Sequence, residues 1–253
     1  MLQLDLWFWV FAIVATFLVG ASKGGLPGVG VLGVPVLAQV TSPVVAAGLL
    51  LPLLVISDWY GLWMYRKSYD LRVIKLMVVT ATIGILIGWA AASITNADVV
   101  KLIVGFIGLS FFVDALLKLK REVKPATENI PLATFWGSLT GFTSFVAHAG
   151  GPPYQMYVLP LKLDKMTYAG TTTIVFAIIN FLKLPPYWQL GQINMASLEV
   201  CAWLTPVALI GAFAGYHFTK LLPEKIFFRL VEVALFLLSL KLIYDGYSGL
   251  VKV

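Results

Sequence analysis

Charge, cysteine and histidine are all scarce in this chain. Only 12% of its 253 residues are Asp, Glu, Lys or Arg, about half the share found in a typical soluble domain, which excludes an ordinary water-soluble globule. The single cysteine, Cys201, rules out an intramolecular disulfide and a Cys-x-x-Cys relay. It falls in an apolar run, where packing is its expected role. With two histidines and no His-Glu-x-x-His motif, paired aspartates or Ser/His/Asp set at helical spacing, little remains for a metal or hydrolytic centre. Neither an enzyme nor a cofactor is expected. Eighteen basic against 12 acidic residues leave a net charge of +6, but the cations lie between apolar runs. They therefore point to membrane topology, and no nucleic-acid partner is expected.

What the sequence has in abundance is apolar residues, 60% of the total. Long apolar runs cover Leu4 to Val19, Val44 to Tyr65, Val73 to Ala92, Val99 to Leu117, Leu132 to Ala147, Met166 to Leu184, Met195 to Phe218 and Ile226 to Tyr244. Each approaches the roughly 20 residues that cross a bilayer as a helix, the form that satisfies its own backbone in lipid. The expected fold class is an all-α polytopic membrane protein. The first run has no basic flank, so a cleaved signal peptide is not expected. Two shorter apolar pieces, Val29 to Val40 and Gln155 to Leu163, follow Gly/Pro-rich breaks and read as half-helices.

The order long run, break, short run, three long runs occurs twice. Ser22-Lys23-Gly24-Gly25-Leu26-Pro27 answers His148-Ala149-Gly150-Gly151-Pro152-Pro153 at an offset of 126, and Asp58 with Asn180, Gly88 with Gly215, and Lys101 with Arg229 keep nearly the same spacing. The expected division is a first repeat over 1–119, a basic linker over 120–130 and a second repeat over 131–253. Arg66, Lys67, Arg72 and Lys75 flank one loop, and Lys118, Lys120, Arg121 and Lys124 mark the linker, which places both on the cytoplasmic side. The loop equivalent to the first, Pro185 to Asn194, is uncharged, while the mate of the uncharged Ser93 to Asp98 turn carries Lys220 and Lys225. Equivalent loops thus fall on opposite sides, as in inverted-topology repeats, each a broken helical hairpin plus three transmembrane helices.

Broken backbone at membrane depth is tolerated where protein or a watery cavity meets its polar groups, so the two tips are expected to converge on a central site. Paired glycines, Gly24 with Gly25 and Gly150 with Gly151, permit unusual backbone angles and close approach of a ligand. Pro27, Pro152 and Pro153 suit a first helical turn. Amides and the positive dipole end of each half-helix favour an anion. Lys23 and His148 stand beside the tips, and Tyr154, Gln155 and Tyr157 follow the second as hydrogen-bond donors. Lys23, Gly24, Gly25, Pro27, His148, Gly150, Gly151, Pro152, Tyr154 and Gln155 are therefore the candidate substrate-binding set. Asp58, an ionisable group inside a membrane run, is a candidate for coupling, for pairing with Lys23 or for bonding neighbouring backbone, with Asn180 as its repeat mate. Thr171, Thr172 and Thr173 are expected to bond backbone or a neighbouring helix. The Gly-x-x-x-Gly pairs Gly84/Gly88, Gly137/Gly141 and Gly211/Gly215 read as helix packing. Trp7, Trp9, Trp59, Trp63, Trp188 and Tyr187 read as interfacial anchors.

The Gly-Gly-Pro-rich loops after the first helix of each half, in a chain of this length with a basic central linker, resemble the sulfite exporter TauE/SafE family of bacterial membrane proteins. The resemblance implies export of a small sulfur-containing anion (sulfite, sulfoacetate or another organosulfonate) across the bacterial cytoplasmic membrane. The partners it implies are that anion and the lipid bilayer, and a homodimer is compatible with the sequence. Relatives specialised for thiosulfate use membrane cysteines, and Cys201 lies outside either tip. The working expectation is a secondary transporter acting by alternating access, with an anion-selective channel as the alternative.

Overall fold

The computed structural model describes residues 5–26, 29–92, 96–118 and 129–251. Every regular element among them is helical. The ten α-helices are α1 (Leu6–Lys23), α2 (Gly33–Leu37), α3 (Pro43–Met64), α4 (Leu71–Ala90), α5 (Ala97–Lys118), α6 (Ile130–Ala147), α7 (Gly151–Val158), α8 (Lys165–Gln189), α9 (Met195–Leu221) and α10 (Glu224–Val251). Short 3-10 turns at Val29–Leu32 and Leu159–Leu161 complete the two hairpins. Side-chain caps set many of the starts. Asp5 Oδ1 accepts from the Phe8 amide at 2.8 Å, Asp70 Oδ1 from Arg72 and Val73, and Asn129 Oδ1 from Leu132 at 3.1 Å. Asn194 and Ser197 form a reciprocal capping box ahead of α9.

All eight long runs are helices, with ends within a few residues of the expected ones except at the C-termini of α8 and α10. The largest surprise is α8, which continues through Pro185 and Pro186 to Gln189 where a loop was expected. Two consecutive prolines remove the α-helical donors to the Phe181 and Leu182 carbonyls, yet the following turn still closes through Leu190 N–H to the Pro186 carbonyl at 2.9 Å. The first half-helix is a 3-10 turn followed by five α-helical residues. The second begins at Gly151, ahead of the expected Gln155, because Pro152 and Pro153 occupy a first turn whose amides have no helical acceptor in any case.

Five helices, α1, α3, α4, α8 and α9, are long and apolar enough to cross a membrane by length and composition. Their outward faces are greasy: Val79, Ile83, Leu86 and Ile87 on α4, and Trp203, Ile210 and Phe213 on α9, are all exposed. A soluble monomer rarely shows apolar surface on this scale, whereas lipid accommodates it. Trp7, Trp59, Trp63 and Trp188 are exposed and Trp9 is half-buried, but Tyr187, expected as an anchor, is buried and belongs to the interior.

The chain forms two compact units, each drawn from both sequence halves. Unit 1 comprises Met1–Tyr69 and Ala169–Pro223, and unit 2 Asp70–Tyr168 and Glu224–Val253. In unit 1, α1 packs along α9, and Phe8, Ala12, Ala15, Val19, Leu50, Leu53, Leu204 and Ala208 share one core. The Cys201 thiol lies in it and donates to the Leu49 carbonyl at 3.1 Å. In unit 2, α4 packs along α6 and α5 along α10. A Cβ on Gly211 or Gly215 would run into the Phe17 or Ala21 carbonyl of α1, and one on Gly84 or Gly141 into the Ser138 or Ala81 carbonyl across the α4–α6 contact. Glycine is what lets these helix backbones touch.

Candidate functional site

The helix α1 ends on Lys23, and the chain turns through Gly24 and Gly25. Gly25 has φ +99, a left-handed backbone that residues with a Cβ rarely adopt. A Cβ there would also strike the Tyr65 hydroxyl. Tyr65, fully buried at the end of α3, donates its hydroxyl to the Gly24 carbonyl at 2.7 Å and stacks edge-on against Tyr216 of α9. The first tip is therefore fastened to α3 by a side chain and set against α9.

Lys23 points into unit 1 and is only 5% exposed. Its ammonium sits 2.9 Å from Asp58 Oδ1, and the other carboxylate oxygen accepts from Asn180 Nδ2 at 3.0 Å. Asp58 on α3 and Asn180 on α8 thus meet directly. The Lys23 carbonyl accepts from Thr173 Oγ1 at 3.4 Å, and its ammonium lies 5.9 Å from the centre of the Phe176 ring. Removing either partner from a buried pair like this leaves an uncompensated charge, so the two stand or fall together.

A second buried lysine completes the group. Lys183 is 1% exposed and lies over the Tyr187 ring at 5.9 Å. Sequence reasoning passed over it, because it stands near the end of a run whose limit seemed set by the prolines. A signal was present: Thr173, Phe176, Asn180, Lys183 and Tyr187 follow one another at intervals of three or four, which places them on one face of α8. Asn180 had already been matched to Asp58, so the ionisable residue one turn on belonged in the same reckoning.

Unit 2 holds the other tip. α6 ends at Ala147, and His148, half-buried, caps it in the left-handed conformation with φ 51. The Ala149 amide donates to the Thr143 carbonyl at 3.1 Å, and Thr143 Oγ1 in turn lies 3.2 Å from the Ala149 carbonyl. α7 opens with Gly151, Pro152 and Pro153. Since prolines carry no N–H, Gly150 and Gly151 are the residues at this turn able to aim amides at a ligand. Tyr154 and Gln155 are buried behind it, and Gln155 Oε1 has no hydrogen-bond partner among the described residues.

The structure thus gathers Lys23, Gly24, Gly25, Asp58 and Asn180 in unit 1, and His148, Gly150, Gly151, Pro152, Tyr154 and Gln155 in unit 2. Pro27 and most of the 120–130 linker lie outside the described residues. Thr173 bonds across to the end of α1, in line with the role expected of that threonine run. No group of three or more His, Cys, Asp or Glu side chains placed to hold a metal occurs among the described residues.

Among curated proteins and among solved structures, none matches this chain. A family model described as Sulfite exporter TauE/SafE matches residues 12–242. That stretch runs from the middle of α1 into α10 and takes in both tips, the Lys23–Asp58 pair and Lys183. With some nine-tenths of its length matched, the chain belongs to the sulfite exporter TauE/SafE family of membrane transporters.

Proposed function

We propose that the chain is a secondary transporter that moves a small sulfur-containing anion, such as sulfite, sulfoacetate or another organosulfonate, out across the bacterial cytoplasmic membrane by alternating access. The observation that carries this reading is the buried Lys23–Asp58 pair beside the Gly24–Gly25 tip, with a second buried lysine, Lys183, on α8 of the same unit. An ionisable residue at membrane depth is costly and marks a substrate or ion path by default. Among the described residues, unit 1 buries two lysines and one aspartate, a set that suits an anion better than a cation.

In this reading Lys23 attracts the anion, amides of Gly24 and Gly25 contact its oxygens, and Asp58 with Asn180 fixes the Lys23 ammonium. In unit 2 the Gly150 and Gly151 amides, His148, Tyr154 and Gln155 supply directional bonds at the turn that Pro152 opens. Repeats 1–119 and 131–253 run in opposite orientations, joined by the basic 120–130 linker on the cytoplasmic side. Support for the repeats comes from the matched sequence offsets and from the like use of Gly211 and Gly84, each set against a backbone carbonyl of the neighbouring helix.

The test is transport by purified protein in liposomes. Labelled sulfite or sulfoacetate should enter, and a trans load of unlabelled anion should accelerate it, because a carrier exchanges. Lys23→Gln is expected to lower the rate at least about tenfold. A rate equal to wild type overturns the assignment of Lys23. Steady single-channel currents in a planar bilayer would replace alternating access by the anion-channel alternative.

A further inference from the structure

We propose that Gln155 Oε1 is a selectivity contact of the unit 2 tip. It accepts a hydrogen bond from the transported anion, so the tip prefers a sulfur oxyanion that carries one hydroxyl hydrogen, hydrogensulfite or a hydroxysulfonate, over one that carries none. This rests on the transport reading above and deepens it by naming the form of substrate that the second tip selects.

Donors are plentiful at this turn. α6 ends at Ala147, His148 follows in the left-handed conformation, and the Ala149 amide is already given to the Thr143 carbonyl. The next two amides, those of Gly150 and Gly151, give no hydrogen bond to a described residue, and no side chain caps the helix that they open. Pro152 and Pro153 have no amide to offer. Gly150 is buried, so the start of α7 presents two free donors and the positive end of a helix dipole inside the protein, a setting for anionic oxygens.

A helix start asks only for negative charge, and by itself it accepts any oxyanion. Gln155 adds a separate demand. It is 5% exposed, and its Oε1 has no hydrogen-bond partner among the described residues. Gln155 stands four residues after Gly151 on the same face of α7, and helical side chains lean back toward the N-terminus. Its carboxamide therefore lies over the turn that the two glycines open. A buried carbonyl oxygen without a donor is costly.

One ligand meets both demands. Its charged oxygens accept from the Gly150 and Gly151 amides, and its hydroxyl donates to Oε1. Fully deprotonated sulfite, or a plain alkanesulfonate, takes the amides and leaves Oε1 facing an anion with nothing to receive. A site that holds a substrate hydroxyl rejects the analogue lacking it for this reason.

The experiment uses the full chain in liposomes and follows uptake of labelled sulfite against increasing unlabelled isethionate or ethanesulfonate. These two are monoanions of nearly equal size that differ by one hydroxyl. In the wild type, isethionate should compete at a concentration at least about tenfold lower than ethanesulfonate. In Gln155→Leu the two should compete alike, because isethionate weakens toward ethanesulfonate. Equal competition in the wild type, no competition by either, or a preference undiminished in Gln155→Leu overturns the inference and leaves the transport reading standing. A water held at Oε1 and not exchanged for the anion gives that equal competition. If Gln155→Leu takes up no sulfite, Gln155→Met, apolar and close to glutamine in length, is read in its place. Loss of uptake in both overturns the inference, since a selectivity contact tunes uptake without being required for it. Failure of the wild-type protein to move sulfite and sulfoacetate alike overturns the transport reading and the inference with it.

Discussion

In unit 1, α1 lies against α9 with carbonyls of Phe17 and Ala21 set on Gly211 and Gly215. In unit 2, α6 lies against α4 with the Ser138 carbonyl set on Gly84. The two contacts use the same device, and the difference lies in what each unit does with its charge. Unit 1 buries Lys23, Asp58 and Lys183 on three different helices. The ion pairs of unit 2 that the structure describes, Asp98 with Lys101 and Lys241 with Asp245, each lie along a single helix and are partly exposed. Where α5 and α10 meet, the contact is between small groups: Gly105 and Gly108 lie against Ser239 and Ile243. Charge that ties separate helices together is costly to bury, and a unit built mainly from apolar and small residues has no need of it. The contrast places the buried ion pair that links separate helices in unit 1.

The severest way to break the comparison is Asp58→Ala. It leaves the Lys23 ammonium buried without its carboxylate, and we expect a loss of about 3–5 kcal/mol in the unfolding of the detergent-solubilised protein. The corresponding change in unit 2, Gln155→Leu, gives up no hydrogen bond at Oε1 and should leave stability level or raise it. Equal damage from both would erase the distinction. Next in size are Gly215→Leu and Gly84→Leu. Each drives a side chain into a facing carbonyl that is part of a helix backbone, and each should lower the unfolding temperature by a similar amount, corresponding to about 1–3 kcal/mol or more. A large gap between the two would show that the shared device matters more to one unit. Smallest is Lys101→Ala in unit 2, where a partly exposed pair along one helix should be worth about 0–1 kcal/mol in the same assay.

Much of this was legible in the sequence because membrane helices announce themselves by length and hydropathy. The eight long runs became α1, α3, α4, α5, α6, α8, α9 and α10, and the breaks at Gly24–Gly25 and Gly150–Gly151 became the two turns. The pairing of Lys23 with Asp58 was one of the readings that the residues allowed, and the 2.9 Å contact shows it. Proline misled the reading of α8, since Pro185-Pro186 is ordinarily a stop signal and here the helix passes through. That misjudged end concealed that Tyr187 is helical and turns inward, one turn beyond a Lys183 that the expected run already contained. Which residues of a helix face protein and which face lipid depends on tertiary neighbours, and in runs that are apolar all round the hydrophobic pattern says little about it.

Tyr65 brings one more consequence. Its hydroxyl reaches from the end of α3 to the Gly24 carbonyl, while Asp58, less than two turns earlier on the same helix, grips the side chain of the preceding residue. The loop is thus harnessed to α3 at two successive residues, one by its main chain and one by its ammonium. A tilt of α3 pulls on both reins at once, so the charge and the turn travel as a single piece of machinery.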